Sequence, residues 1–318
     1  MRILLVKTSS LGDVIHNLPV VADIRDHFPN AQIDWVVEEN FAAIPRLNPN
    51  VNRVIPVAMR RWRKHLSSGA TWRQWREFKQ ALQDRAYDFV IDTQGLLKSS
   101  ILVRGAHGQR CGYDWNSARE PLASFAYQRK INVAKNLHAV ERNRQLVAKA
   151  LSYQANTQPI YGISVPEAAP DKALPVPYVV FLHATSRPDK EWPEENWIEL
   201  GKWFAANGFV SQLPSGNEAE FERARRLARA ITDAMAQPPG KLEDIAVHLA
   251  HASAVIGVDT GLTHLACAFG KPTVALYCNS DPGLTGVYAS ARAINLGGIG
   301  LPPRVSDVSN AFEKVRAT

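Results

Sequence analysis

Twice along its 318 residues this chain runs through short β-branched segments, each followed by apolar residues at helical spacing, with a proline-rich interruption between the two runs. Parallel strands need a crossover long enough to hold a helix, so such alternation commits each run to a doubly wound α/β sheet. In the first run, strands are expected over Ile3–Val6, Ile33–Val37, Val54–Val57 and Phe89–Ile91, with helices over Val14–Phe28, Trp72–Tyr87, Leu96–Val103 and Leu137–Leu151. Pro159, Pro166, Pro170, Pro175 and Pro177 then fall in a stretch without period, which reads as a linker. The alternation restarts with strand Tyr178–Leu182 and helix Glu194–Asn207, strand Phe209–Leu213 and helix Glu218–Ile231, and helix Leu242–Ala252. Strand Ala254–Val258, helix Leu262–Phe269 and strand Thr273–Tyr277 complete it. The expected domains are therefore 1–152 and 178–318, joined by 153–177, with a final helix free to pack back on the first domain. No internal sequence repeat relates the halves.

Ligands of such sheets sit beyond the carboxyl ends of the strands, which directs attention to three loops and to a cleft between two facing domains. VIGVDTGLTH, residues 255–264, breaks from a buried strand straight into a helix. Asp259 or Thr260 could simply cap that helix. Alternatively, the unpaired first-turn N–H groups, the dipole and the Thr260, Gly261, Thr263 and His264 donors cradle a phosphate. HATSRPDKEWP, residues 183–193, offers Thr185, Ser186 and the cation Lys190 in the same domain. Two phosphate-suited loops in one domain suggest a nucleotide diphosphate. KTSSLGD, residues 7–13, has a single glycine and matches neither GxGxxG nor a P-loop, which argues against a nicotinamide or ATP site. It presents Asp13 at a helix start, either as a complement to the dipole or as a reactive carboxylate.

Charge is uneven. Residues 1–150 hold 23 Lys and Arg against 13 Asp and Glu, a net of +10, whereas the remainder is at −3. The first domain should therefore face something anionic. Its densest run, Arg60-Arg61-Trp62-Arg63-Lys64, is followed by Trp72, Trp75 and Phe78 among further cations. This mixture suits an anionic membrane surface, RNA, or a solvated face. Arg119 in SAREP and the pair Arg142 and Arg144 extend the basic character. No apolar run spans a bilayer, and Met1–Val6 is too short for a signal peptide and reads as a strand. Cys111, Cys267 and Cys278 form no CxxC pair, which suggests a reducing compartment and thiols used as small core residues. No Asp-x-Asp and no Cys/His cluster calls for a metal.

The segments KTSSLGDVIHNLP, VIPVAMRRWRK, SAREPLAS, HAVERNR, FLHATSRPDKEWPEENW, GVDTGLTHLA and SDPGLTGVY, in this order over essentially the whole chain, resemble the lipopolysaccharide heptosyltransferases of glycosyltransferase family 9. The resemblance implies a GT-B fold of two Rossmann-like domains facing across a cleft. It also implies transfer of L-glycero-D-manno-heptose from ADP-heptose, bound by the second domain, to the 3-deoxy-D-manno-octulosonic acid (Kdo) of Kdo-lipid A, bound by the first. No cofactor is implied beyond the donor substrate. The implied base is Asp13, and the implied donor residues are Thr185, Ser186, Lys190, Glu220, Asp259, Thr260, Gly261 and His264. Ser10, Arg60, Arg61, Arg63, Lys64 and Arg119 fall on acceptor positions. Ser186 replaces a threonine, Cys278-Asn279-Ser280 a Gly-Pro-Thr, and Pro238-Pro239-Gly240 a Lys-Met region.

The chemistry expected of such a chain is a metal-independent single displacement with inversion. One carboxylate takes the hydroxyl proton while fixed donors hold the leaving diphosphate. RRWRK and SAREP favour addition of the first inner-core heptose over the second. A sugar-nucleotide epimerase of the same fold is the rival enzyme class, and an anion-binding module the non-enzymatic one. The expected setting is the cytoplasmic face of the inner membrane of a Gram-negative bacterium, with peripheral contact to anionic lipid, no nucleic acid, and a monomeric chain.

Overall fold

The computed structural model describes residues 1–155, 158–166 and 177–318. The chain divides into two units, Met1–Ser164 and Val165–Thr318. The linker expected over 153–177 lies in part outside the described residues.

The first unit runs β1 (Arg2–Val6), α1 (Leu11–Ile15), α2 (Leu18–His27), β2 (Gln32–Glu38), α3 (Ala43–Arg46), β3 (Arg53–Val57), α4 (Met59–Trp62) and α5 (Gly69–Gln83). It continues through β4 (Ala86–Asp92), α6 (Leu97–Gly105), β5 (His107–Tyr113), a 3-10 turn over Pro121–Ala126, β6 (Arg129–Ile131) and α7 (Ala139–Leu151). Its sheet order is β3-β2-β1-β4-β5-β6, every pair parallel, with Ile3 opposite both Ile33 and Phe89. The chain reverses its direction of winding between β1 and β4, so the loops leaving these two strands flank the crevice where a doubly wound sheet takes its ligand. Leu4, Val6, Val36 and Val90, all fully buried, form the core beneath that edge.

Unit two comprises β7 (Tyr178–Leu182), α8 (Glu194–Ala206), β8 (Val210–Leu213), α9 (Glu218–Ala230), β9 (Ala234–Ala236) and α10 (Leu242–His251). β10 (Ala254–Val258), α11 (Gly261–Ala268), β11 (Thr273–Tyr277), α12 (Pro282–Thr285), β12 (Ala293–Gly297) and α13 (Val305–Ala317) follow. Its order, β12-β11-β10-β7-β8-β9, repeats the first sheet strand for strand, again wholly parallel. The switch point here lies between β7 and β10. Both units are Rossmann-like, as the alternation implies.

Three differences from the sequence reading have physical causes. The helix expected over Val14–Phe28 is two helices that meet at His16 and Asn17, with Pro19 in the first turn of α2, where its missing N–H costs nothing. Tyr87 belongs to β4 and not to the preceding helix. β5, β6, β9 and β12 escape a hydrophobic-pattern reading because they are short, polar or glycine-bearing; β6, β9 and β12 are edge strands and β5 lies next to one. Val308, Ala311, Phe312 and Val315 of α13 enter the core of the second unit, with Phe312 against Phe204.

Candidate active site

Asp13 sits in the first turn of α1, on the loop leaving β1. Its Oδ2 accepts from Ser10 N at 3.0 Å, Ser10 Oγ at 3.2 Å and Arg119 Nη1 at 3.2 Å. Oδ1 takes none of these contacts and remains available to another donor. The loop beneath is fixed from β4: Gln94 Oε1 accepts from Thr8 N at 2.9 Å and Ser9 N at 3.1 Å. Gln94 is held in turn by Asp92, whose Oδ1 accepts from Gln94 N at 2.8 Å and whose Oδ2 accepts from Tyr127 OH at 2.7 Å. Gly95 turns this loop at φ +67°, a conformation that an L side chain rarely adopts.

Lys7 lies buried under the same loop, donating to Thr93 O at 2.8 Å and Asn143 Oδ1 at 3.3 Å. Burial pushes its ammonium down to about 8 against the pull of Asp13. Burial would raise the Asp13 carboxyl, but Lys7, Arg119 and the Ser10 N–H outweigh it and hold the group at about 2. Asp13 is therefore an anion at every physiological pH.

The basic run is less uniform than its sequence suggests. Arg60, Arg61, Arg63 and Lys64 are all exposed, but Arg61 is committed to Glu39 by two bonds of 2.9 Å and to Gln74 at 2.8 Å. Arg60 lies 5.6 Å from the Phe41 ring and donates its backbone N–H to Glu38. Trp62 is buried edge-on against Trp75 and Phe78, so Trp62 and Phe78 are core rings, with Trp75 half-buried against them. Trp72 alone of that group is exposed. Arg144 does not extend the basic face either: it is buried and grips Asp23 through bonds of 2.8 and 3.0 Å. Arg142 lies 5.0 Å from the Tyr113 ring and donates to Ser117 O.

Lys98 ties the basic run to the Asp13 loop. It donates to Ser9 Oγ at 2.6 Å, and its ammonium is lowered by burial and by the fields of Arg60 and Arg63. Sequence reasoning passed over Lys98 and Gln94 because they follow β4, whose loop carries no glycine-rich or carboxylate signature.

In the second unit the loops from β7, β10 and β11 converge on Asp259. Its Oδ2 accepts from Lys190 Nζ at 2.6 Å and Ser280 Oγ at 2.7 Å, and its backbone carbonyl accepts from Thr185 Oγ1 at 3.0 Å. His264 Nε2 stands 3.7 Å from Oδ1, an electrostatic contact. Burial would raise the Asp259 carboxyl, yet His264, Lys190 and Ser280 together hold it far below the usual carboxylate range. Thr260 is the extended residue before α11 and spends no side-chain bond on capping, and the first-turn N–H groups of α11 open at the end of β10. Thr263 does bond back, to Val258 O at 2.7 Å. That return bond requires glycine at 257, where a Cβ would fall 2.2 Å from Thr263 Oγ1. Ser280, in the segment that departs from the expected Gly-Pro-Thr, supplies the hydroxyl which that pattern would provide.

Two predicted donor residues stand apart from this cluster. Ser186 is exposed, with no hydrogen bond among the described residues. Glu220 lies in the first turn of α9, after the loop that leaves β8, one strand along, and its carboxylate accepts from Gly216 N at 2.7 Å and Asn217 Nδ2 at 2.8 Å. An acid beyond the second strand of a Rossmann unit is where a ribose hydroxyl is bound. Among the described residues, no group of three or more His, Cys, Asp or Glu side chains could hold a metal. No helix among them is long and apolar enough to cross a membrane, and the three cysteines are buried thiols.

Residues 75–311 match glycosyltransferase family 9 (heptosyltransferase). Lipopolysaccharide heptosyltransferase 1 of Escherichia coli strain K12 is 48% identical over 302 residues, covering 92% of this chain and 93% of that one. The solved structure of E. coli heptosyltransferase WaaC with ADP superposes at a TM-score of 0.91 with 45% identity, covering 99% of this chain and all of that one. A second structure, of the same E. coli protein with ADP-2-deoxy-2-fluoro heptose, gives a TM-score of 0.84 with 44% identity over 98% of each chain.

Proposed function

Since the chain belongs to glycosyltransferase family 9 and is a glycosyltransferase of lipopolysaccharide inner-core heptose addition, we propose that it moves L-glycero-D-manno-heptose from ADP-heptose onto the Kdo of Kdo-lipid A, with inversion and without a metal. The observation that supports the donor half best is the Lys190–Asp259–Ser280 cluster at the start of α11. It collects a cation, hydroxyls and helix N–H groups at a strand end of the second unit, the combination a leaving diphosphate requires. Thr185, Ser186, Thr260, Gly261 and His264 complete that shell, and Glu220 takes the ribose. In the first unit, Asp13 is the base, and Ser10, Arg119 and the Arg60–Lys64 run meet the anionic acceptor.

Arg119 gives the acceptor a way to control the base. A sugar carboxylate competes for its guanidinium, and each contact withdrawn from Asp13 Oδ2 raises the basicity of the carboxylate as the acceptor hydroxyl arrives. The bond that forms is from the hydroxyl oxygen to the anomeric carbon. The bond to the diphosphate breaks, and the proton passes to Asp13. The chain works as a monomer at the cytoplasmic face of the inner membrane.

Incubation with ADP-heptose and Kdo-lipid A in EDTA should give an acceptor heavier by one heptose, read by mass spectrometry. No gain with or without EDTA overturns the acceptor assignment, and a gain restored only by magnesium overturns the metal-free one. Release of an isomerised nucleotide sugar would identify an epimerase.

The division of substrates has its own test. Changing Arg60, Arg61 and Arg63 to Gln should raise the apparent KM for the acceptor and flatten its salt dependence, because charges of this kind act on encounter over a screening length of about 8–10 Å. Most of the effect should come from Arg60 and Arg63, as Arg61 is already neutralised by Glu39. ADP-heptose affinity should scarcely move. Weakened donor binding with an unchanged acceptor KM would reverse the assignment.

A further inference from the structure

The sequence directs membrane contact to the basic run and its tryptophans, yet two of those rings are packed inward. The exposed apolar surface of the first unit lies elsewhere. Leu97 and Ile101 occupy one face of α6, Leu122 and Phe125 stand one 3-10 turn apart on Pro121–Ala126, and Trp115 meets Phe125 with ring centroids 5.7 Å apart. α6 and the 3-10 turn are in contact. These five side chains are 44–62% exposed and account for five of the nine exposed large hydrophobics between Met1 and Ile160. Contiguous apolar area of this kind marks a docking surface.

We propose that this patch is the surface by which the protein enters an anionic lipid bilayer. The choice of a bilayer rests on the reading above, in which the acceptor is a membrane lipid. Two observations favour it over a protein partner.

First, the rim is cationic. Lys98 and Arg104 lie on α6 with Leu97 and Ile101, Arg119 falls two residues before the 3-10 turn, and Lys130 Nζ stands over the Phe125 ring, 5.4 Å from its centroid. The nearby acids are engaged: Glu120 accepts from Leu97 N at 2.6 Å at the start of α6, and Asp114 accepts from Ser117 N at 2.8 Å and Asn132 Nδ2 at 2.9 Å. Anionic headgroups would meet cations around inserted Leu, Ile, Phe and Trp. A second copy of the chain, docking symmetrically, would oppose one cationic rim to another.

Second, the patch adjoins the reactive carboxylate. Arg119, bonded to Asp13, is three residues from Leu122. Insertion here sets Asp13 at headgroup level, where a lipid-borne sugar stands.

The test uses the full chain and vesicles containing no acceptor sugar, so binding is read whether or not the proposed reaction is right. Wild type should sediment with phosphatidylglycerol vesicles and much less with phosphatidylcholine. Ile101→Ser, Leu122→Ser and Phe125→Ser together should lower the partition coefficient by at least about 10-fold, since each removes apolar area from the lipid. ADP affinity and melting temperature should be unchanged. Absence of wild-type binding, or equal binding by the triple variant, overturns the proposal. So does a triple variant that turns a dimer into a monomer in sedimentation velocity, which would assign the patch to self-association. A Leu122→Cys protein carrying an environment-sensitive fluorophore gives a second readout: its emission should shift to the blue on anionic vesicles, and no shift overturns the proposal even if the triple variant proves unstable.

Discussion

Asp13→Asn should lower turnover by about 10²–10⁴-fold, the usual worth of a general base, while leaving ADP affinity as it is. Asparagine keeps the shape and can still accept from Ser10 and Arg119 through its amide oxygen, but it cannot take a proton. Initial rates at saturating substrates, with ADP binding measured by calorimetry, separate the two effects. Turnover within a few-fold of wild type would remove Asp13 from the reaction. The pH dependence has a definite sign. Asp13 is depressed from 3.8 to about 2, so its contribution to stability is present above 3.8 and is lost as pH falls through 2. An acid limb of the rate between pH 5 and 7 would therefore belong to another group. Lys7 behaves in the opposite way. Lowered from 10.5 to about 8, it penalises the fold below pH 8, and this penalty is relieved as pH rises toward 10.5.

Lys190→Ala should weaken ADP by about 10–100-fold, the worth of a hydrogen bond between charged groups, and lower turnover by about 10²–10³-fold as the developing charge on the diphosphate loses a fixed partner. The loss appears in both terms because the diphosphate is present in ground and transition states alike. Asp259 holds the ammonium at 2.6 Å and so sets its position before the donor arrives. The buried carboxylate left by the substitution still has Ser280 and His264, so the fold should survive. Unchanged ADP affinity would take Lys190 out of the phosphate site.

The sequence makes legible those residues whose neighbours carry a period or a motif. β7, β10 and Ile3–Val6 of β1 are buried apolar runs, and the segments that follow them hold Lys190, Asp259 and Asp13, so strand pattern and ligand rule point to the same places. Glu220 was legible only through family resemblance, since at the N-terminus of a helix it looks like any capping acid. What remained hidden depends on contacts between distant segments. Lys7, Lys98 and Gln94 acquire their roles from bonds spanning 85 to 136 positions. Arg144 is a solvated cation in a charge count and a buried partner of Asp23 121 positions away in the fold. The tryptophans of the basic run show the same limit. Their spacing fits a membrane face and a core face equally well, and only packing decides.

The strand order shared by the two sheets has a consequence for how such a protein can diversify. Neither half shows a sequence repeat of the other, so what is common to them is the frame, while the reactive side chains stand on connections that leave the frame. On the substrate assignment proposed above, a mutation in the loop after β7, β8 or β10 would alter the chemistry offered to the nucleotide sugar without disturbing a ladder bond. A mutation after β1, β3, β4 or β5 would do the same for the acceptor. Selection can thus revise one substrate preference while the other stays fixed, and an engineer seeking a new sugar acceptor has a bounded set of positions to randomise, none of them in a strand.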